Sequence, residues 1–535
     1  MNQNKLSAYS PLLFALMLAA GIFIGFNLSD SRPLDLDLIA TDKKNKLGQV
    51  ITLIDQRYVD TVDTDDLVEE TIDEILYDLD PHSDYIPASE LDGATEPLSG
   101  EFEGIGVEFT IQRDTLIVIN PVEGGPSEKV GIKPGDRIIL VDDSLIAGVG
   151  VENQTVMDLL KGESGTKVEV KIHRKGGPEL LPFTIKRDRI PIKSVAVALR
   201  INEETGYLKL LRFASTTRSE FRDAMNKIKV LELKNLVLDL RDNGGGYLQT
   251  AVELADEFLP ANKLIVYTKG KSYDNKEYRA SESGKLDKIN LYILINENSA
   301  SASEVLAGAI QDNDRGTIIG RRSFGKGLVQ DQLFFDDHSA LRLTIARYFT
   351  PTGRSIQKPY GDGIDYENDY LERFENGELL NSDSISFPDS LKFTTPQGKT
   401  VYGGGGIMPD LFVGIDTMGA SEYLSEIGFR GLINRFGFQF ADDHREELNK
   451  FANFNEFING FEVDEKILND FIAFAESNDV ETDQDGLKAS KTIIRDRLKA
   501  YIARNIWKND AFYSVLLTDD KIFKATLKFI GEAEN

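Results

Sequence analysis

The sequence predicts a multidomain α/β protein in which a small β-rich domain precedes a larger α/β domain, with helical regions on both sides. Its 535 residues suffice for about three or four domains of ordinary size. Short β-rich runs fill residues 101–176, and strands alternate with helices over residues 190–356. With 41% hydrophobic and 28% charged residues, the composition excludes a largely disordered or collagen-like chain.

The first segment with a distinct character is Pro11–Leu28, about 18 residues without a charge. Its length lies between the apolar core of a cleavable signal peptide and a bilayer-spanning helix, and no small-x-small cleavage pattern follows it. We therefore expect an uncleaved signal anchor over residues 1–28, rather than a cleaved signal or a buried core helix. Lys5 before the segment and aspartates after it predict a membrane-anchored protein of the cell envelope whose body lies in the periplasm or another extracytoplasmic space.

Hydrophobic periodicity divides the rest of the chain. Residues 40–92 have a helical period and predict an N-terminal helical region. Residues 93–177 contain four β-rich runs around a helix-like stretch at Gln154–Leu160, which suits one small domain. Residues 178–413 alternate strands with helices, and the capping-box pattern Thr217-Arg-Ser-Glu220 predicts the start of one of these helices. Residues 414–535 are Phe-rich, acidic and helical in period, and their residues indicate no chemistry.

Charge and cysteine content exclude several classes of function. The net charge of −27 repels phosphate backbones, so nucleic acid is not an expected partner. The chain has no cysteine, which rules out disulfides, thiolate zinc sites, iron–sulfur clusters and a cysteine nucleophile. We expect neither a metal nor an organic cofactor.

Two segments of the α/β region carry the candidate chemistry. Asp239-Leu-Arg-Asp-Asn-Gly-Gly-Gly246 places three glycines after an apolar strand, where backbone N–H groups can approach a ligand; a turn that needs positive φ is the alternative. Asn296-Glu-Asn-Ser-Ala-Ser-Ala-Ser-Glu304 places three serines before an apolar helix, whose free N–H groups and dipole stabilise an oxyanion. Helix capping explains one of these serines and leaves two without a role.

A serine nucleophile needs a base, and the sequence has only four histidines. His338 lies in a polar turn and is interpreted as solvent-exposed. Lys326, flanked by glycines and apolar residues, is the better candidate, because burial would lower its pKa from about 10.4 towards about 7–8. If this segment is a strand, Gln330 lies on the same face and its amide can orient the amine. A lysine that snorkels at a strand edge is the alternative.

Two near matches to ligand-binding loops are rejected. Gly320-Arg-Arg-Ser-Phe-Gly-Lys326 fits the start of a phosphate-binding loop, but Gly327 replaces the Ser or Thr that binds Mg²⁺, and the residues that follow predict a strand rather than a helix. Glu481-Thr-Asp-Gln-Asp-Gly486 begins like a calcium loop but has Thr492 at the twelfth position. We interpret this second stretch as a solvated acidic turn.

The serine and lysine segments together with the glycine turn resemble the carboxyl-terminal processing proteases, also called tail-specific proteases. The resemblance extends over residues 68–413. It implies a crotonase-like α/β serine protease core, with Ser301 as nucleophile and Lys326, 25 residues later, as general base. It also implies that Gln330 orients the lysine and that the N–H groups of Gly246 and Ala302 form the oxyanion hole. Gly244 stands where the family often has proline, which should loosen the turn.

The family carries a PDZ domain before the protease, and Glu101-Phe-Glu-Gly-Ile-Gly-Val-Glu-Phe109 resembles its carboxylate-binding loop and first strand. This implies that Gly104, Ile105, Gly106 and Val107 bind the substrate. A glycine-flanked turn can form a nest for a terminal carboxylate, and the strand edge can accept an extended peptide. Such a groove prefers an apolar C-terminal residue. A module that only packs against the protease is the alternative.

The resulting hypothesis is a serine endopeptidase of the cell envelope that captures the C-termini of protein or peptide substrates and cleaves nearby by a Ser301–Lys326 dyad. One alternative is a catalytically silent peptide-binding scaffold, in which Ser301 only caps a helix. Another is a Ser-His hydrolase that uses His338. The tail at residues 414–535 is expected to serve assembly, such as a homo-oligomer, because helical flanks in the family often do so.

Overall fold

The computed structural model describes residues 17–18, 46–273, 275–282, 284–361 and 363–533. It has two compact units, Met1–Ile75 and Leu76–Asn535. The expected signal anchor lies outside the described residues except for Met17 and Leu18. Among the helices that the structure describes, none has the length and apolar character to cross a membrane.

The first unit contributes α1 (Lys46–Arg57) and most of α2 (Thr64–Tyr77). The second unit begins with the short strand β1 (Asp84–Ile86) and helix α3 (Leu91–Ser99). Helical structure therefore occupies most of the region in which hydrophobic periodicity predicts it, and β1 is an addition to that prediction.

The β-rich domain is an antiparallel sheet in the order β3-β4-β5-β7-β8, with β6 paired to β5. Along β7, Val168, Val170 and Ile172 are buried while the residues between them face outward, which is the period of two expected of a half-buried strand. The separate pair β2–β9 joins this domain to the next. Its elements are β2 (Glu101–Gly104), β3 (Val107–Ile111), β4 (Leu116–Pro121), α4 (Pro126–Val130), β5 (Arg137–Val141), β6 (Ser144–Leu145), α5 (Asn153–Leu160), β7 (Lys167–His173), β8 (Leu180–Lys186) and β9 (Asp188–Pro191).

The α/β domain is built on a six-stranded sheet in the order β10-β11-β12-β15-β16-β21, parallel except for the β10–β11 pair. Every residue of β12 is buried, as expected of a strand covered on both faces. A second sheet has the order β1-β18-β13-β14, with β17 also paired to β18.

Among the residues that the structure describes, the α/β domain contains sixteen helices and strands. They are β10 (Val195–Arg200), β11 (Thr205–Leu210), α6 (Thr217–Lys227), β12 (Asn235–Asp239), α7 (Leu248–Asp256), β13 (Leu264–Lys269), β14 (Lys276–Arg279), β15 (Asn290–Ile295), α8 (Ala302–Asp312), β16 (Gly316–Gly320), β17 (Leu328–Phe334), β18 (Ala340–Phe349), α9 (Asp369–Glu375), β19 (Lys392–Thr394), β20 (Thr400–Tyr402) and β21 (Leu411–Phe412), with a 3₁₀ turn at Val230–Glu232. Two more 3₁₀ turns lie at Ser382–Ser384 and Asp389–Leu391.

The capping box predicted for α6 is wrong. The N-cap residue is Thr216, and it makes no side-chain cap hydrogen bond. Glu220 accepts instead from the backbone N–H groups of Ser194 and Val195, at 2.8 and 3.1 Å. The same carboxylate accepts from Thr216 Oγ1 at 2.8 Å, so it ties the N-cap of α6 to the start of β10.

The tail is helical, as its sequence period predicts. It contains α10 (Glu422–Phe429), α11 (Leu432–Asp443), α12 (Arg445–Leu448), α13 (Phe454–Gly460), α14 (Glu465–Glu476), α15 (Gln484–Leu517) and α16 (Lys521–Ala533). Helix α15 is kinked at Trp507 and Lys508, where the backbone leaves helical geometry. Helix α16 packs Ile522 and Phe523 onto the main sheet, against a cluster that includes Tyr207 and Val237.

Candidate active site

Ser301 lies between the carboxyl end of β15 and the first turn of α8, where ligand crevices of open α/β sheets form. Its φ of 54° and ψ of −115° put a non-glycine residue in the left-handed half of backbone space. Such a conformation costs of order 1–3 kcal/mol and persists only where the surroundings fix it. The contacts around Ser301 supply that constraint.

The glycine turn after β12 packs directly against Ser301. Gly245 has a φ of +101°, and a Cβ added there would lie 2.8 Å from Ser301 Cβ and from Ala302 N. The turn is held by the buried Asn243, whose Oδ1 accepts from Gly245 N at 2.9 Å and whose carbonyl accepts from Ala300 N at 3.0 Å. Only glycine at position 245 permits this approach.

Two backbone N–H groups remain available beside this turn. Phe213 N donates to Gly245 O and Tyr247 N donates to Phe213 O, so the N–H of Gly246 is left out of the pairing. Ala302 is the first residue of α8, where N–H groups have no partner within the helix. In the part of the chain that the structure describes, neither N–H has a hydrogen-bond partner.

The strand before the glycine turn ends in a buried charge network. Asp239 accepts from Tyr207 OH at 2.7 Å and from Arg241 Nη2 at 2.6 Å, and Lys209 Nζ lies 3.3 Å away. Despite burial, the charges of Arg241 and Lys209 hold the pKa of Asp239 below its usual range. Arg241 also pairs with Asp520 at 2.6 Å, so the network extends into the tail.

Lys326 lies in the loop before β17, with its amine directed at Gln330. Nζ donates to Gln330 Oε1 at 2.8 Å. Burial lowers the pKa of Lys326 to about 8, with Arg342 acting in the same direction and Asp80 and Glu304 opposing it. The strand expected from Leu328 onward is present as β17, but Lys326 precedes it. Because the pairing of β17 with β18 is irregular between Val329 and Gln330, regular alternation does not place Lys326 and Gln330 on one strand face.

The segments that carry Ser301 and Lys326 are held next to each other by shared hydrogen-bond partners. Among the described residues, no hydrogen bond joins the Ser301 hydroxyl to Lys326 Nζ. Their backbones are joined through Tyr348, whose hydroxyl is bonded to the carbonyl of Lys326 and lies 3.2 Å from that of Ser301. A second link runs through Glu304.

Glu304 is a site residue that the sequence analysis missed. Its buried carboxylate accepts from Ser301 N at 2.9 Å, Lys326 N at 2.8 Å, Gly325 N at 2.7 Å and Ser323 Oγ at 2.5 Å. Burial raises the pKa of Glu304 to about 7, and these four hydrogen bonds oppose the rise. The spacing Ser301-x-x-Glu304 is that of a capping box and could have indicated the contact with Ser301 N.

A second missed group lies beside the lysine. The amide nitrogen of Gln330 donates to the backbone carbonyl of His82. The His82 ring lies 2.7 Å from Tyr366 OH and makes an edge contact with Phe324. Burial lowers the pKa of His82 to about 4, and the charge of Lys326 acts in the same direction. His338, by contrast, is exposed in the turn between β17 and β18.

The phosphate-loop match is excluded by the structure, since Lys326 is followed by strand β17 rather than by a helix. In the acidic stretch at 481–486, helix α15 begins at Gln484. Nowhere in the described residues do three or more His, Asp or Glu side chains group in a way that could hold a metal ion.

The β-rich domain has a groove between β3 and α5. Strand β3 is at the edge of its sheet, so one side of it is free to accept another strand. A cavity of about 180 Å³ lies beside it, lined by apolar residues that include Ile105, Val107, Met157 and Leu160, and by the Lys161–Glu96 ion pair. Gly106 has a φ of +70°, and the carbonyl of Ile105 is held by Ser127 Oγ at 2.7 Å. Gly104 pairs with Lys161 at the end of α5.

Comparison with known proteins agrees with this architecture. Residues 204–368 match peptidase family S41, residues 104–185 match the PDZ domain, and residues 423–508 match a family of unknown function. The carboxy-terminal-processing protease of Bartonella bacilliformis is 38% identical over 316 residues, 58% of this chain and 72% of that protein. The carboxy-terminal processing protease CtpB of Bacillus subtilis is 32% identical over 372 residues, 67% of this chain and 76% of that protein.

Among solved structures, the photosystem II D1 C-terminal processing protease is 26% identical, covering 70% of this chain and 94% of that one with a TM-score of 0.35. The family membership follows from the sequence relatives, together with a serine-bearing α/β domain and a β-rich domain in the expected order. The chain belongs to the carboxy-terminal processing proteases of peptidase family S41, which are serine proteases, and it carries a PDZ domain.

Proposed function

We propose that this protease is an endopeptidase with a Ser301–Lys326 dyad. The observation that carries the proposal is the buried amine of Lys326, which donates to Gln330 Oε1. The backbone N–H groups of Lys326 and Ser301 both donate to the Glu304 carboxylate. A buried lysine whose pKa is lowered to about 8 is neutral in a useful fraction of molecules near neutral pH.

The reaction follows from these groups. A neutral amine that donates one N–H to Gln330 keeps its lone pair for the Ser301 proton. Ser301 Oγ then attacks the peptide carbonyl carbon, and the N–H groups of Gly246 and Ala302 stabilise the oxyanion. The protonated lysine returns its proton to the leaving amine as the C–N bond breaks. Water deprotonated by the same lysine hydrolyses the ester and restores Ser301.

The absence of a direct Ser301–Lys326 hydrogen bond is consistent with this role. In enzymes without substrate, catalytic hydrogen bonds are often long and tighten only when the substrate binds. The links through Glu304 and Tyr348 act on the backbone, so either side chain can rotate while the two segments stay in place.

The PDZ groove is proposed to bind the C-terminus of the protein or peptide substrate. Gly104, Ile105, Gly106 and Val107, which connect the end of β2 to the start of β3, would bind the terminal carboxylate, and an extended peptide would add to the edge of β3. The apolar lining favours an apolar C-terminal residue. We further propose that occupation of the groove controls access to Ser301.

An extracytoplasmic location and a membrane anchor also remain proposals. They rest on the uncharged segment Pro11–Leu28 and on Lys5 before it, with aspartates after it. Homo-oligomer formation is a further prediction, and no contact described above bears on it.

The dyad predicts that Ser301→Ala and Lys326→Arg both abolish proteolysis of an unfolded protein with an apolar C-terminus. Arginine stays protonated, so Lys326→Arg should lower the rate of proteolysis by at least roughly the 10²–10⁴-fold that a general base typically supplies. In the wild type, kcat/KM should rise with pH through about 8, as the lysine loses its proton. His338→Ala is the matched control and should keep full activity; proteolysis by Ser301→Ala would reject the dyad.

The glycine turn predicts opposite outcomes at adjacent positions. Gly245→Ala places a Cβ 2.8 Å from Ala302 N and should lower kcat about 10²-fold, as loss of one oxyanion donor does. Gly244→Ala meets no atom within 4 Å and should behave as the wild type. The measurement is steady-state kinetics of both variants on one peptide. Equal effects of Gly245→Ala and Gly244→Ala on kcat would show that the turn does not position the oxyanion donors.

The groove predicts that a charge in its lining acts on substrate capture. Met157→Asp should raise KM for a substrate with a free apolar C-terminus and leave cleavage of the same substrate with an amidated C-terminus little changed. Thr155→Asp, exposed on the same helix α5 but outside the lining, is the control. If Met157→Asp affects both substrates equally, the groove does not read the C-terminus.

A further inference from the structure

A tight turn at residues 80–83 lies against the proposed base. The buried carboxylate of Asp80 accepts from the N–H groups of His82 and Ser83, both at 2.9 Å, and from Ser83 Oγ at 2.7 Å. Thr344 Oγ1, on β18, donates to the same carboxylate at 3.1 Å. The turn then runs into β1, which pairs with β18. It is therefore fixed by its own hydrogen bonds and by the sheet that carries Gln330.

The rigid turn presents one backbone carbonyl to Gln330. Thr344 is the cross-strand partner of Gln330, so the turn and the glutamine are held by the same strand pair. The amide nitrogen of Gln330 donates to the His82 carbonyl, and its oxygen is then the atom that faces Lys326 Nζ, at 2.8 Å. With the amide reversed, an N–H group would meet the amine and the His82 carbonyl would face an oxygen.

We propose that the Asp80–Ser83 turn is a positioning element of the base. It fixes the Gln330 amide with its oxygen on Lys326, and it supplies a carboxylate that offsets the charge of Arg342. This inference rests on the proposed dyad, since it assigns the turn a role only if Lys326 is the base.

The two actions of Asp80 can be separated. Charged and titratable groups around the Lys326 amine are Arg342, Asp80, Glu304 and His82, with Lys358 and Tyr366 beside His82. Arg342 lowers the pKa of Lys326, whereas Asp80 raises it. Asparagine at position 80 keeps an acceptor oxygen for the turn but removes the charge. Alanine removes both.

The test compares Asp80→Ala and Asp80→Asn in the full-length protease, with kcat and KM measured across pH. Asp80→Ala should lower kcat by about 10- to 100-fold, as a small misplacement of a catalytic group does, with KM little changed. Asp80→Asn should keep most of kcat at high pH, and the rise of activity should move to lower pH. Asp337→Ala is the control, because Asp337 holds Ser339 in the turn at the other end of the β17–β18 hairpin.

Wild-type kcat in Asp80→Ala would overturn the positioning role. An unshifted pH profile in Asp80→Asn would overturn the electrostatic role, and this variant decides if Asp80→Ala does not fold. Neither result touches the dyad, which fails only if Ser301→Ala or Lys326→Arg retains proteolysis.

A second, independent set of contacts concerns the tail. Arg504 on α15 pairs with Glu108 of the groove strand β3 at 2.8 Å. Phe438 on α11 is buried against Ile117 and Ile119 of β4. Lys508, at the kink of α15, pairs with Glu123 at 3.2 Å.

Immediately beyond the kink, the same helix contacts the protease domain. Asn509 Nδ2 donates to Ala196 O of β10 at 3.1 Å, and Asp510 pairs with Lys227 at 2.8 Å. Helix α16 then covers the main sheet, and Asp520 pairs with Arg241. We infer that, while the groove is empty, the tail holds the PDZ domain in one position relative to the protease domain, a role for the region that matches a family of unknown function.

The chain has no cysteine, so Lys129→Cys in the PDZ domain and Lys263→Cys in the protease domain provide a unique pair of exposed spin-label sites. Adding Phe438→Asp and Arg504→Ala should broaden the measured distance distribution. Arg495→Ala, which breaks a pair with Glu465 inside the tail, is the control and should leave it narrow. An unchanged distribution in the Phe438→Asp, Arg504→Ala protein would overturn the inference.

Discussion

The buried carboxylate of Glu304 joins the two segments on which the chemistry depends. Four donors converge on it: three backbone N–H groups, of Ser301, Gly325 and Lys326, and the Ser323 hydroxyl. An apolar residue at this position would leave those donors buried without partners, at a cost of roughly 1–3 kcal/mol each. The carboxylate is in turn tolerated in the interior only because the donors satisfy it. The Ser301 turn and the Lys326 loop are thus held by one group that need not touch a substrate.

The hydrogen bond to Gln330 explains how Lys326 can be both buried and ordered. A desolvated amine loses its preference for the charged form, but it still needs a partner for its N–H groups. The neutral amide of Gln330 provides that partner without stabilising the ammonium as a carboxylate would. Two charges of opposite sign, Arg342 and Asp80, then act on the pKa of the lysine in opposite directions.

Sequence patterns indicated the proposed reacting groups more readily than the residues that support them. Ser301, Lys326 and Gln330 stand in short segments whose composition is unusual for scaffold, and the glycine turn announces a close approach of backbone. The role of Glu304 was not predicted, because an acidic residue in the first turn of a helix is common. Its hydrogen-bond partners lie up to 22 residues away in the sequence. The contact of Gln330 with the His82 carbonyl was not predicted, because a backbone atom 248 residues away leaves no signal in the sequence around Gln330. The sequence period predicted that the tail is helical. It did not predict which surface the apolar face of the tail covers, because periodicity carries no information about the packing partner.

The pair Arg241–Asp520 joins residues 279 positions apart in the sequence. Helix α16, which follows Asp520 directly, covers the sheet that contains β12. During translation, β12 therefore leaves the ribosome before the helix that will shield its sheet exists, by a delay of roughly 15–55 s at usual elongation rates. Over that interval Val237, Tyr292 and Leu294 have no cover from α16. Until α16 has been synthesised, a nascent chain of this protease therefore exposes this apolar face unless another protein covers it.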